Sequence, residues 1–255
     1  MAATAGSGSN CTGSGLSRVL FHAPDLTVAT ESPSYPPWFV ADDPANGQGF
    51  ESAMTYALAG QLGIARNRVI WVAEPFGDAV TPGPKAFDFD VDQIGDAGPR
   101  SGRVVLSPLL PSEPGAGGPE GEPHHHGPLS GPASSYTYGA QAGTTGLAAI
   151  TEWIKPTHPP VSFATLDEAV AALRARRIDV LVADGPTAQH ISPTQDLVIA
   201  AQLPTSEPYA LAFEPHNPLV SCVNRALSTL QANGTLARLQ RKYLGRTVSA
   251  PTVKP

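Results

Sequence analysis

Residues 165–184, TLDEAVAALRARRIDVLVAD, decide the fold class. Thr165 with Glu168 three residues on is a capping-box signature, in which each side chain satisfies an N–H at the start of a helix. Leu166, Ala169, Val170 and Leu173 then recur at three- and four-residue spacing, which predicts an amphipathic helix. From Ile178 to Ala183 the chain becomes almost continuously apolar and stops at Asp184. That is the pattern of a strand covered on both faces. A helix leading into such a strand belongs to an α/β protein with largely parallel sheets.

The same alternation runs through the rest of the chain. Residues 26–30, LTVAT, are β-rich and read as a strand. Three prolines between Ser32 and Trp38 forbid helix and central strand there. Phe50, Ala53, Met54, Ala57, Leu58 and Leu62 predict a helix that Gly63 stops. Strands follow at Val69–Val72 and around Phe87–Ile94, with a loop through Phe76 between them. A further helix is expected from Gly146 to Ile154. Near the end, Asn217-Pro218 reads as a cap with proline in the first helical position. Leu219, Val220, Val223, Ala226, Leu227 and Leu230 form its stripe, Asn233-Gly234 breaks it, and Leu236, Leu239 and Tyr243 carry a second short helix.

Composition narrows the function classes. Of 255 residues, 41% are apolar and 15% charged, which suits a chain with a buried core. A net charge of −6 with no basic stripe argues against a nucleic-acid surface. No apolar stretch approaches the ~18 residues of a membrane-spanning helix. The two cysteines, Cys11 and Cys222, cannot build a disulfide scaffold, and each reads as an unpaired thiol. The start of the chain has neither a basic n-region nor an apolar h-region, so no signal peptide is evident. Cys11 followed by Thr12-Gly13-Ser14-Gly15 resembles the start of a mature lipoprotein, and residues 1–25 read as a flexible tether.

One segment breaks the pattern. Between Leu109 and Ser135, 12 of 27 residues are glycine or proline. Such composition cannot bury a core and predicts loop or disorder. His124, His125 and His126 within it are adjacent, so their imidazoles do not converge on one ion, and no metal site is expected.

Several strings, in order, resemble the polar-amino-acid family of ABC-transporter solute-binding proteins (bacterial extracellular solute-binding protein family 3). They are LTVAT (26–30), YPPW (35–38), GQGF (47–50), FDFDV (87–91), and Arg100 seven residues before Ser107-Pro108. YGAQAGTT (138–145), IDVLVADGPTA (178–188), NPL (217–219) with VNRAL (223–227), and GTL (234–236) with KYL (242–244) complete the set. The resemblance implies an α/β, two-lobed, periplasmic-binding-protein-like (type II) fold with a hinge between two mixed, mostly parallel sheets. It implies one lobe from residues 26–108 plus 205–246, a second from 109–204, and a tail at 247–255. The Gly/Pro-rich segment stands where the family has its first hinge strand. Either the linker is an unusual one or the chain is a defective copy.

The implied function is capture of an amino acid, or similar small polar solute, outside the cytoplasm and delivery to an ABC permease in the membrane. No cofactor, metal or nucleic acid is implied, and the protein is expected to be a monomer. A zwitterion needs a cation for its carboxylate, and the Arg100 guanidinium offers a planar fork. Thr144 and Thr145, at a helix start, add donors for the same carboxylate. Asp184 ends a buried strand, where ligands collect in open α/β sheets, and matches the acid that accepts from the α-ammonium. Tyr35, Trp38 and Phe76 fall where the family places aromatic walls. Gln93 and Gly95 stand where it has a Ser/Thr-rich strand end, and Ala97 replaces its usual hydroxyl residue. Asp92, if it faces the pocket, disfavours a second ligand carboxylate and favours neutral or basic ligands. The rival readings are an enzyme on the same scaffold, resembling cyclohexadienyl dehydratases, and a sensor domain. No histidine or glutamate occurs in the quoted pocket strings to serve the former as general acid or base.

Overall fold

The computed structural model describes residues 11–95, 105–112, 114–119, 132–194, 197–203 and 207–245. Leu26–Thr30 (β1), Val69–Ala73 (β2), Phe89–Gly95 (β3), Val105–Ser112 (β4) and Glu207–Phe213 (β10) form one sheet, in the order β2-β1-β3-β10-β4. Pro114–Pro119 (β5), Tyr138–Gln141 (β6), Val161–Phe163 (β7), Val180–Asp184 (β8) and Leu197–Gln202 (β9) form the other, in the order β7-β6-β8-β5-β9. In the first sheet β1 runs parallel to β2 and β3, while β10 is antiparallel to β3 and β4. In the second, β6 runs parallel to β7 and β8, while β5 is antiparallel to β8 and β9. The architecture is α/β with two mixed sheets, as the resemblance implies, but the pairings divide evenly between parallel and antiparallel rather than running largely parallel.

The chain crosses between sheets twice, once between Ser112 and Pro114 and once between Gln202 and Glu207. The first crossing corrects the expectation for the Gly/Pro-rich stretch. Its described part is not loop: β4 runs to Ser112, and Pro114–Pro119 is a strand between β8 and β9. The hinge-region strand is therefore present. Backbone ladders hold it, Gly115↔Ala183 and Ala116↔Val182 on one side, Gly115↔Gln202 and Ala116↔Ala201 on the other. Its prolines sit at the two ends, and Pro108 and Pro111 lie in the edge strand β4, the places where sheets tolerate a missing N–H. His124, His125 and His126 lie outside the described residues.

The helices form where periodicity predicts them. Phe50–Gln61 (α2), Val220–Ala232 (α7) and Thr235–Tyr243 (α8) cover one face of the first sheet. Met54, Leu58, Val223, Leu227, Leu230 and Leu236 pack there against Leu26, Val28, Phe89, Val91, Leu211 and Phe213. Leu166–Arg174 (α5) has the expected capping: Thr165 Oγ1 accepts from the Glu168 N–H at 3.2 Å, and Glu168 accepts from the Ala164 N–H at 3.0 Å. Two boundaries shift. Helix α7 begins at Val220, and Asn217 instead accepts the Leu219 N–H at 2.8 Å. The expected helix at 146–154 is Thr145–Ala149 (α4) continued by a π-helical turn, Ile150–Ile154.

The N-terminal region differs from expectation. Cys11 is disulfide-bonded to Cys222 of α7, 211 positions away, with the two Cα atoms 5.3 Å apart. Neither thiol is free, and a Cys11 held in that bond has no sulfur left for a lipid. From Cys11 onward the segment is docked rather than a tether. A short helix, Gly13–Ser17 (α1), buries Leu16 in the first-sheet core, and the Phe21 N–H donates to Asp88 Oδ1 at 2.7 Å. Among the described residues no helix is long and apolar enough to cross a membrane.

Gly49, just before α2, marks a close approach. Its φ is +96°, and a Cβ there would lie 2.2 Å from the Trp38 carbonyl oxygen. Gly49→Ala is expected to lower stability by roughly 2–3 kcal/mol, read from the urea midpoint at unchanged m-value.

Candidate ligand cleft between the sheets

The carboxyl ends of β1, β3, β6 and β8 all open on one cleft, as ligand sites in open α/β sheets do. Its lining comes from both sheets. Glu31 just past β1, Asp92, Gln93 and Gly95 of β3 and Tyr209 of β10 contribute from the first. Gln141 of β6, Thr144 to Gly146, Leu166, Val182 to Asp184 and Thr187 contribute from the second. Phe76, at the start of the short helix Phe76–Ala79 (α3), closes one wall, and the empty space is about 600 Å³, open to solvent.

Hydrogen bonds tie the walls together. Gln141 Nε2 donates to Glu31 Oε2 at 2.7 Å, and Trp38 Nε1 donates to Thr187 Oγ1 at 2.9 Å. Thr187 lies in Gly185–Thr194 (α6), which Asp184 caps by accepting the Thr187 N–H at 2.9 Å. Behind Glu31 runs a chain of acids. The Glu31 N–H donates to Asp92 Oδ2 at 3.3 Å, and Gln93 Nε2 donates to Asp92 Oδ1 at 3.0 Å and Glu51 Oε2 at 3.1 Å. The Gln93 N–H adds a bond to Glu51 Oε1 at 2.8 Å, made from a left-handed backbone with φ +44°.

Burial shapes the charge of this cluster. Desolvation lifts Glu31 to about 7, against the Gln141 hydrogen bond and with help from the negative charge of Asp167. Glu51, fully buried, rises to about 8 although both Gln93 bonds favour its carboxylate. Burial pushes Asp90 and Asp92 well up, with added push from Glu51 and Glu31 at Asp90 and from Glu31, Asp90 and Glu51 at Asp92. Asp184 is also raised by burial, with hydrogen bonds from Thr187 and Tyr209 opposing. Glu31 and Glu51 thus hold protons near neutrality unless a cation arrives.

Of the residues singled out from sequence, Phe76, Gln93, Gly95, Thr144, Thr145 and Asp184 line the cleft. Asp92 does face it. Arg100 and Ala97 lie outside the described residues. Trp38 and Tyr35 are not among the lining residues. Trp38 is wholly buried in the first-sheet core, 5.9 Å from the Phe50 ring and 4.7 Å from that of Tyr209, because its indole body is more easily satisfied there. Its N–H still reaches the cleft through Thr187. Tyr35 packs across the gap onto the Leu166–Leu173 cluster of the second sheet. Four polar side chains of the cleft escaped the sequence reading: Glu31, Gln141, Thr187 and Tyr209. Glu31 sits one residue beyond the string LTVAT, so a glutamate does reach the pocket. Among the described residues no group of histidine, cysteine or carboxylate side chains could hold a metal ion.

No protein-family model and no curated protein matches this sequence. Solved structures do. The arginine-, lysine-, histidine-binding protein of Geobacillus stearothermophilus superposes with a TM-score of 0.72 at 19% identity, covering 88% of this chain and 97% of that one. An ancestral arginine-binding protein bound to arginine gives 0.72 at 23%, over 87% and 98%. An ancestral amino-acid-binding protein, a precursor of cyclohexadienyl dehydratase, gives 0.70 at 23%, over 86% and 94%. At these identities the likeness speaks for architecture, and on that the sheet orders, the paired crossings and the cleft between the strand ends agree: this chain has the type II periplasmic-binding-protein fold.

Proposed function

We propose that the protein captures an amino acid between its two lobes, outside the cytoplasm, and delivers it to an ABC permease without chemistry. The observation that carries this reading is the cleft itself, which takes residues from the strand ends of both sheets and is bridged by Gln141–Glu31 and Trp38–Thr187. A solute held there contacts both lobes at once, so binding favours the closed arrangement. Asp184 accepts from the α-ammonium, while Arg100, with Thr144 and Thr145, takes the carboxylate. The solved structures named above, amino-acid-binding proteins, support the ligand class. The Cys11–Cys222 bond supports the location, since disulfides persist on the oxidising side of a membrane.

Thermal-shift screening against the common amino acids tests the reading. A bound ligand at about 100 times its Kd adds roughly 2.7 kcal/mol of stability. No shift from any amino acid, with the protein folded, overturns it. Asp184→Asn and Arg100→Ala are each expected to weaken the amino acid found by roughly a hundredfold, the loss of one charge-assisted partner. Unchanged affinity in either variant removes that residue from the clamp.

One observation favours a second reading. Glu31, raised to about 7 in the cleft, has the acidity of a general acid or base. An enzyme on this scaffold would release an aromatic product from a cyclohexadienyl compound, and Glu31→Gln would abolish that turnover. Absence of product over a long incubation with wild-type protein removes this alternative.

A further inference from the structure

Carboxyl groups in and behind the cleft outnumber what a zwitterion's head group uses. In the solute-binding reading, on which this argument rests, a single carboxylate, Asp184, answers the ammonium. Glu31 and Asp92 remain on the cleft wall, with Glu51 and Asp90 behind them. Asp92 is 2% exposed and Glu51 and Asp90 are 0% exposed. Among the described residues none of these carboxylates is in an ion pair, the one such pair being Arg68–Asp25 at the surface. No lysine, arginine or histidine is among the described lining residues.

Asp90 supplies an independent sign. It lies two residues from Asp92 on β3, hence on the same face of the sheet. It is wholly buried, and neither of its carboxylate oxygens has a hydrogen-bond partner among the described residues. Leaving such a group unsatisfied is costly unless it keeps a proton or gains a cation nearby.

We infer that the cleft takes a solute with a second positive charge, a guanidinium or ammonium seated opposite Glu31 and Asp92, and that its entry displaces protons from this acid cluster to solvent. Nothing covalent changes: the cation arrives, and the carboxyl protons leave to water. Groups from several elements set the balance. Asp92 and Asp90 of β3, Glu51 of α2 and Asp167 of α5 act on Glu31, and Asp184 of β8 acts on Glu51, all acidic. Glu74 adds to the negative field at Asp90 and Lys85 offsets part of it, while Gln141 is neutral. Because burial raises Glu31 to about 7 and Glu51 to about 8, the exchange falls near neutrality. Affinity for the cation therefore rises with pH up to that range and levels off above it.

Isothermal titration of the full chain with L-arginine and with L-citrulline, its neutral ureido counterpart, tests this. At about pH 8.5 arginine is expected to bind roughly a hundredfold tighter than citrulline, and the gap narrows to roughly tenfold or less by about pH 5.5. Near neutrality the arginine enthalpy changes between phosphate and Tris, the signature of protons released to buffer, and the citrulline enthalpy does not. Glu31→Gln keeps an oxygen for the Gln141 N–H. It is expected to lower arginine affinity by at least about tenfold more than it lowers citrulline affinity, and to reduce proton release. Equal binding of arginine and citrulline, or arginine binding without proton release, overturns the inference and leaves the solute-binding reading standing. Equal loss of both ligands in Glu31→Gln also overturns it, since Glu31 would then act only as a structural brace. If no amino acid binds to folded protein, the reading beneath it falls as well.

Discussion

Cys11→Ala lowers the unfolding free energy by about 3–5 kcal/mol, and reductant does the same to the unaltered chain. The bond joins positions 211 apart, so opening it frees a long loop in the unfolded chain. Loop-closure entropy for that length is worth about 5 kcal/mol in the chain-entropy model. Cys11 is the better position to change. It is only partly buried, whereas Cys222 is 2% exposed within the core, where a serine would add an unsatisfied hydroxyl. The loss also loosens α1, whose Leu16 reaches the core, with Val19 and Leu20 packed beside it. Urea unfolding with and without reductant measures the effect. A midpoint that reductant leaves unmoved, in protein shown by mass to be oxidised, would remove the disulfide from the account of stability.

The ligand-free protein becomes less stable as pH rises from about 4.5 to about 8, the reverse of a chain held by surface ion pairs. Glu31 rises from 4.5 to about 7 and Glu51 from 4.5 to about 8 on folding, and Asp88 from 3.8 to about 6. Across that window the folded chain binds more protons than the unfolded one. The stabilising contribution is thus complete below the unfolded value and is lost as pH climbs through the folded one. A shift of this size is worth about 3–5 kcal/mol for a single buried group. Calorimetric melts at matched ionic strength should show Tm falling by roughly 5–10 °C between about pH 5.5 and about pH 8.5. In Glu51→Gln, where the amide cannot ionise, the fall should shrink. A Tm that climbs with pH would contradict a protonated acid cluster.

How much of this was legible depended on what holds each element. Strand β1, helices α2 and α5 and strand β8 are fixed by local apolar periodicity, which a sequence displays directly. Strand β5 is held through its backbone, by partners on β8 and β9 that its own residues do not reveal. The docked N-terminus depends on Cys222, far along the chain, and no local pattern around Cys11 points there. In the cleft, Asp184 was visible because it ends a buried run. The same rule applied to β1 and β6 would have found Glu31 and Gln141, since each stands at the end of its parallel strand. Trp38 misled because a YPPW string specifies a stiff turn but not the side its indole takes.

The strand order of the first sheet has a consequence for a chain being made. On the ribosome, every strand of the second sheet has been synthesised once Gln202 is in place. The first sheet is still incomplete, because β10 (Glu207–Phe213) belongs between β3 and β4. Until it emerges, the nascent chain exposes two facing strand edges, each open to pairing with a neighbour. The half of the protein that begins first is the half that finishes last.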